Sequence, residues 1–287
     1  QSRTPPVERP SRVQEPQREL GLEPFPVRVP DGVLPMPIPD DNPLTHAGVS
    51  LGRRLFYDVR LSGDDTVACG TCHQQERAFT DGRVVSEGVQ GRKGTRNAMS
   101  LVNLAWTAPY FWDGRAPTLE ALVPIPIGDP NEMDQDMGAL VEELAADPDY
   151  VEHFATAFPD EGLTEKTVAR ALAQFLRILV SFDSGFDHIE ERELAGREMR
   201  GEMLLRSGMP KGDPEAVVDF CNACHRQSHG IREGARGTGT FSLDEQRVNG
   251  IERGPSDPAR FDVPTVRNIA VTGPYMHDGR FSDLAAV

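Results

Sequence analysis

Cys69-Gly70-Thr71-Cys72-His73 and Cys221-Asn222-Ala223-Cys224-His225 account for all four cysteines of this 287-residue chain. Cys-x-x-Cys-His is the attachment signature of c-type haem. Each thiol adds to a vinyl group of the porphyrin, and the adjoining histidine turns its imidazole onto the iron. Paired cysteines also bind structural zinc or form thioredoxin-like redox pairs. A zinc site would have to join pairs about 150 residues apart, and neither alternative explains a histidine directly after both pairs. The duplication, with no cysteine left over, selects two covalently bound haems. Chemistry is then expected at iron, with the polypeptide setting ligands, access and electrostatics.

Composition sets the outer bounds. The length suits two modest domains with ordinary cores. A formal net charge of -15 argues against nucleic acid as a partner and suits a basic electron carrier. No apolar run approaches membrane-spanning length. The chain starts at Gln1 rather than Met and shows no signal peptide. Because c-type haem is attached outside the bacterial inner membrane, a processed, exported protein of the periplasm or cell envelope is expected.

Residues 1–43 are rich in proline and charge. Pro24-Phe25-Pro26 and Pro35-Met36-Pro37-Ile38-Pro39 favour extended backbone, so this stretch reads as an arm or linker. Leu51, Leu55 and Phe56 share one helical face just before the first haem motif. Thr164 reads as the N-cap of a helix in which Val168, Leu172, Phe175 and Leu179 recur at helical spacing. Another helix is expected over 191–205, and the chain reaches Val287 inside what reads as a further helix. No long alternating strand pattern occurs, and Gly and Pro punctuate the intervals. The expected class is mostly α with long loops: an arm over 1–43, an N-terminal haem domain over 44–162 and a C-terminal haem domain over 163–287.

An internal repeat supports that division. Asn103-Leu104-Ala105-Trp106-Thr107-Ala108-Pro109-Tyr110-Phe111-Trp112-Asp113-Gly114-Arg115 recurs as Asn268-Ile269-Ala270-Val271-Thr272-Gly273-Pro274-Tyr275-Met276-His277-Asp278-Gly279-Arg280. Extended to Leu122 and Val287, half of the aligned positions are identical. Each copy follows its own haem motif, the pattern of a duplicated monohaem cytochrome domain with two cytochrome c-like units.

Together with Leu51-Gly52-Arg53-Arg54-Leu55-Phe56, Arg77-Ala78-Phe79-Thr80-Asp81-Gly82 and Pro264-Thr265-Val266-Arg267-Asn268, these segments resemble the bacterial dihaem cytochrome c peroxidases and their relative MauG. The resemblance runs from Leu51 to Val287. It implies a peroxide site at the N-terminal haem, an electron-transfer haem at the C-terminal one, and a calcium ion between them. His73 and His225 are then the proximal iron ligands. Many relatives carry a distal histidine at the position of Val89, which cannot ligate iron, so the first haem is expected to be open. His46, His153, His188 and His229 match no family position and read as surface or packing residues.

The resemblance makes Glu132 the distal acid–base group, able to take a proton from peroxide and return it to the departing oxygen. Leu122 stands where relatives often have a glutamine. The calcium positions are Asn97, Thr272 and Pro274, an oxygen set suited to a hard cation. Trp112 is the candidate relay between the haems. Some relatives place a second tryptophan before the second haem motif, where this chain has Asp219-Phe220. His277 is expected near the second haem as a supporting group. The sixth ligand of that haem, methionine or tyrosine in the family, would fall beyond Val287, and Met276 reads as a packing residue. The implied activity is reduction of hydrogen peroxide with electrons from a small cytochrome or cupredoxin. Two further readings are MauG-like oxidation of a partner protein and a non-enzymatic electron-transfer role in a larger assembly.

Overall fold

A computed structural model describes residues 21–31, 33–184, 196, 247–253, 258–261 and 264–287. The second haem motif lies outside the described residues, as does the helix expected over 191–205 except for Gly196.

Helix α1 (His46–Phe56) begins where Thr45 accepts a hydrogen bond from the Gly48 amide at 3.0 Å. Its face of Val49, Leu51, Leu55 and Phe56 is buried. A four-residue helix α2 (Cys69–Cys72) carries the first motif, and three pieces follow: α3 (Leu119–Leu122), α4 (Pro124–Gly128) and α5 (Met137–Ala145). Helix α6 (Pro148–Ala157) and helix α7 (Glu165–Arg177) complete the helical set among the described residues. Thr164 caps α7 as its sequence position predicts, accepting from the Thr167 amide at 3.2 Å.

α7 is buried from Thr167 to Arg177 and packs across α1. Two glycines on α1 permit the close crossing: a methyl at Gly52 would lie 2.6 Å from the Ala171 carbonyl carbon. Val168, Leu172 and Phe175 meet Leu51, Leu55 and Phe56 in the main core. The sequence division places α7 in the C-terminal half, and its apolar face is buried in the same core as α1. Its buried polar residues are all paired. Gln174 accepts from the Thr45 amide at 3.0 Å and donates to Asn42 at 2.9 Å; Arg177 meets Glu120 at 2.7 Å.

The described part of the proline-rich arm is extended, as expected, but it is also packed. Val29, Val33, Leu34 and Met36 cover Trp106 and Phe182, and the Trp106 indole donates to the Leu34 carbonyl at 3.0 Å. A two-stranded antiparallel ribbon, β1 (Arg247–Arg253) with β2 (Pro258–Phe261), was not expected from the sequence. The chain end read as helical is a turn, in which Asp283 accepts from the Ala285 and Ala286 amides at 3.0 Å.

The two repeat copies share one backbone design. Asn103 and Asn268 both adopt left-handed conformations, at φ 61° and 58°, and each opens a single 3-10 turn. Tyr110 and Tyr275 each donate to the carbonyl six residues earlier, at 3.0 and 2.7 Å, and each bridges a residue six further on. Phe111 and Met276 share a positive φ, of 68° and 73°. Both copies also grip Ser181 in the connecting segment. Asn103 accepts from its amide at 2.8 Å and donates to its carbonyl at 3.2 Å, while Asn268 donates to its hydroxyl at 3.1 Å.

Candidate functional site

Cys69 and Cys72 sit on the single turn of α2, and His73 is its C-cap. Thr71 steadies the turn: its hydroxyl accepts from the Ala68 amide at 3.1 Å. Gly70 lies beneath Tyr57, so that a methyl on it would come within 2.6 Å of the tyrosine ring. The His73 side chain is oriented by its Nδ1, which donates to the Phe79 carbonyl at 2.8 Å and leaves Nε2 as the nitrogen available to a metal. Phe79 can offer that carbonyl because Ala78 and Phe79 turn the chain through left-handed backbone, at φ 50° and 61°.

Burial dominates the electrostatics. It pushes the Cys69 thiol up to about 12, with Cys72 and Glu132 adding to the effect, and the Cys72 thiol up to about 11. Both thiols are therefore neutral near neutral pH. Among the described residues no group of three or more His, Cys, Asp or Glu could hold a metal ion. Burial also lowers His73, against the Phe79 and Met99 carbonyls and Asp81, so its imidazole is neutral and ready to ligate.

Glu132 is half-buried, and its charge is felt by both cysteines. Burial raises its carboxyl above the ordinary range; Asp129 adds to the rise and Arg115 opposes it. Its position is set by the backbone. The Val89 amide donates to the Glu132 carbonyl at 2.9 Å, and a methyl at Gly88 would lie 2.7 Å from the Glu132 Cα. Val89 itself is 1 % exposed in the main core. Leu122 is half-buried against the same core. Arg115 stacks over Phe111, 3.7 Å from the ring centroid, and bonds Asp113 at 3.0 Å. The sequence offers only the repeat's Asp-Gly-Arg as a signal for this arginine.

Trp112 and His277, aligned positions of the two repeats, meet edge to face with ring centroids 6.3 Å apart. His277 is buried, its carbonyl accepts from the Asn97 amide at 2.7 Å, and the Trp112 indole donates to the Asn97 carbonyl at 2.9 Å. The Asn97 side chain donates to the Arg83 carbonyl at 2.7 Å, leaving Oδ1 without a hydrogen bond among the described residues. Thr272 and Pro274 lie in the same short segment as His277, where Thr272 caps the 3-10 turn Ile269–Val271. Met276 is half-buried in the position matching Phe111. His46 stacks on Phe25 with centroids 5.0 Å apart, and His153 is exposed on α6. His188, His229, Cys221, Cys224 and His225 lie outside the described residues, as does Asp219-Phe220.

Comparisons with known proteins identify relatives of this chain. Residues 46–194 match the di-haem cytochrome c peroxidase family profile. The chain is 32% identical over 259 residues to the methylamine utilization protein MauG of Methylophilus methylotrophus, covering 88% of this chain and 74% of that protein. It is 30% identical over 271 residues to the cytochrome c551 peroxidase of Pseudomonas aeruginosa, covering 86% of this chain and 74% of the other. Among solved structures, a MauG-like protein associated with microbial copper homeostasis superposes with a TM-score of 0.74 at 35% identity, covering 91% of this chain and 80% of that one. The chain thus belongs to the di-haem cytochrome c peroxidase family, and is an oxidoreductase of that kind built on haem c.

Proposed function

We propose that this chain reduces hydrogen peroxide at a haem held by Cys69, Cys72 and His73, with Glu132 as the distal acid–base group. The donor set fits a covalently bound haem: two neutral thiols one helical turn apart, with a neutral imidazole whose Nδ1 is already committed. When bound, the haem supplies the redox centre at which the peroxide O–O bond is broken. The observation that carries the reading is the half-buried Glu132, whose charge is felt by both anchor cysteines and whose carboxyl is raised by burial.

Glu132 takes a proton from one peroxide oxygen and delivers it to the departing one. Its raised proton affinity suits it to carry that proton between the two oxygens. Val89, unable to ligate, leaves the distal side open, and Leu122 keeps that wall apolar. Cys221, Cys224 and His225 would hold the second haem. The Trp112–His277 contact supports a relay across the two halves. Asn97 Oδ1, Thr272 and Pro274 would supply oxygens to a calcium ion that ties those halves together. Electrons would come from a small c-type cytochrome or cupredoxin in the periplasm or cell envelope; among the described residues no helix is long and apolar enough to cross a membrane. Val89 and Leu122, in place of the ligating histidine and the glutamine, favour a second reading in which residues of a partner protein are oxidised.

Rapid mixing of the haem-loaded protein with peroxide tests the central role. Glu132→Gln is nearly isosteric, so the resting haem spectrum should be unchanged. The peroxide-driven spectral change should slow by about 10²–10⁴-fold. A wild-type rate would remove Glu132 from the mechanism.

A further inference from the structure

The chain has four tyrosines, and three have committed hydroxyls. Tyr110 donates to the Leu104 carbonyl at 3.0 Å, Tyr275 to the Ile269 carbonyl at 2.7 Å and Tyr150 to Asp58 at 2.6 Å. Tyr57 is different. It is 45% exposed, and its hydroxyl makes no hydrogen bond among the described residues. Yet its ring lies against the haem-attachment turn: a methyl at Gly70, between the two anchor cysteines, would sit 2.6 Å from Cδ1 and 2.7 Å from Cε1.

A second line of contact leads from Tyr57 to the ligand side. Tyr57 packs edge-on against Phe56 with centroids 5.0 Å apart, and Phe56 packs against Phe79 at 6.2 Å. The Phe79 carbonyl holds His73 Nδ1. Continuous van der Waals contact thus joins an exposed phenol to both the cysteine turn and the proximal histidine. Electron tunnelling weakens steeply across gaps, so this unbroken contact suits electron transfer from Tyr57. The exposed hydroxyl can also pass its proton directly to water, which a phenol bonded to a backbone carbonyl cannot do.

We propose that Tyr57 is a surface oxidation site, at which oxidising equivalents generated from peroxide leave the N-terminal half by one-electron oxidation of the phenol. The idea rests on the peroxide-reducing function proposed above. Tyr57 gives one electron inward and its phenolic proton to water, leaving a neutral phenoxyl radical at the surface. An external phenol in contact with it restores the tyrosine by donating one hydrogen atom. With no reductant present, two such radicals on separate chains join through ring carbons. The balance is two tyrosines plus one hydrogen peroxide giving one dityrosine and two waters. The substrates of this site are therefore external phenols that reach the exposed ring of Tyr57.

The test uses the haem-loaded full chain, treated with stoichiometric hydrogen peroxide without reductant and then digested with trypsin. Cleavage after Arg54 and Arg60 isolates Leu55–Arg60, whose one tyrosine is Tyr57. Dityrosine fluorescence and a cross-linked pair of these peptides, lighter by two hydrogens, are expected. Both should vanish in Tyr57→Phe, which keeps the ring over Gly70, while the peroxide-driven haem spectral change persists. Added phenol should suppress the cross-link in the wild type. A normal haem response with Leu55–Arg60 unmodified, or a cross-link that survives in Tyr57→Phe, would overturn the proposal and leave the peroxide function standing. A wild-type haem spectrum that ignores peroxide would overturn both.

Discussion

Replacing Gly52 by alanine should destabilise the protein, although alanine is the better helix former. In an exposed helix interior the change gains about 1 kcal/mol. Here the new methyl would press on the Ala171 carbonyl, 2.6 Å from its carbon, and stand 2.9 Å from Phe175 Cβ. A backbone carbonyl inside α7 cannot rotate aside, so α1 and α7 must separate. That loosens the contacts of Leu51, Leu55 and Phe56 with Val168, Leu172 and Phe175 in the main core. Overpacking costs about 1–3 kcal/mol, and a backbone clash belongs at the upper end. The net loss is therefore about 2 kcal/mol, which corresponds to a fall of about 4–8 °C in melting temperature. Gly128→Ala is the control, because nothing lies within 4 Å of the added methyl; it should stay within about 0.5 kcal/mol of the parent. Thermal melts of the haem-loaded proteins, followed by circular dichroism, decide the matter. A Gly52→Ala protein that melts at or above the parent temperature would show that the two helices do not depend on this close crossing.

Tyr150→Phe removes a 2.6 Å hydrogen bond to Asp58 and should cost about 1.5–3 kcal/mol in urea denaturation. Burial pushes the Asp58 carboxyl up, but bonds from Arg60 and Tyr150 outweigh it and hold it below the ordinary range. Its stabilisation is present above the unfolded-state value and lost as pH falls through the folded one, so the variant should lose less stability on acidification. Asn103→Ala should cost about 2–4 kcal/mol, since it strands the Ser181 amide and carbonyl and places a Cβ-bearing residue without local bonding at φ 61°. Asn103→Gly should recover only the backbone part, a split that paired denaturation curves will reveal. Glu132 has the opposite sign to Asp58. With a raised carboxyl, its contribution is present below the unfolded-state value and lost as pH rises through the folded one. Glu132→Gln should therefore gain stability relative to the parent as pH rises from the ordinary carboxylate range toward neutrality. Parallel curves across that range would refute the raised value.

Much of the local structure was legible because its causes are local. Thr164 could be read as the cap of α7, and the apolar spacing behind it as a helix, since one turn of neighbours decides both. The repeat announced itself as matching residues, and the two copies share their left-handed asparagines and tyrosine bonds. The partner of α7 could not be read that way. Its amphipathic face specifies burial but not against what, and Gly48 and Gly52 acquire meaning only when another helix lies across them. The arm shows the same limit: its prolines specify extended backbone, while its seat on Trp106 depends on a side chain 72 positions away in sequence.

The sequence by itself determined the covalent chemistry: two Cys-x-x-Cys-His motifs, a repeat behind each and a family resemblance that comparison bears out. Attachment chemistry depends on residue type at fixed short spacing, so no fold is needed to see it. Only the tertiary structure decided the environments. It aligned His73 through the Phe79 carbonyl, half-buried Glu132 so that its carboxyl is raised, brought Trp112 onto His277, and set exposed Tyr57 against Gly70. Proton affinity, ring contact and exposure are properties of what surrounds a side chain, and for Trp112 and His277 those surroundings come from segments remote in the chain.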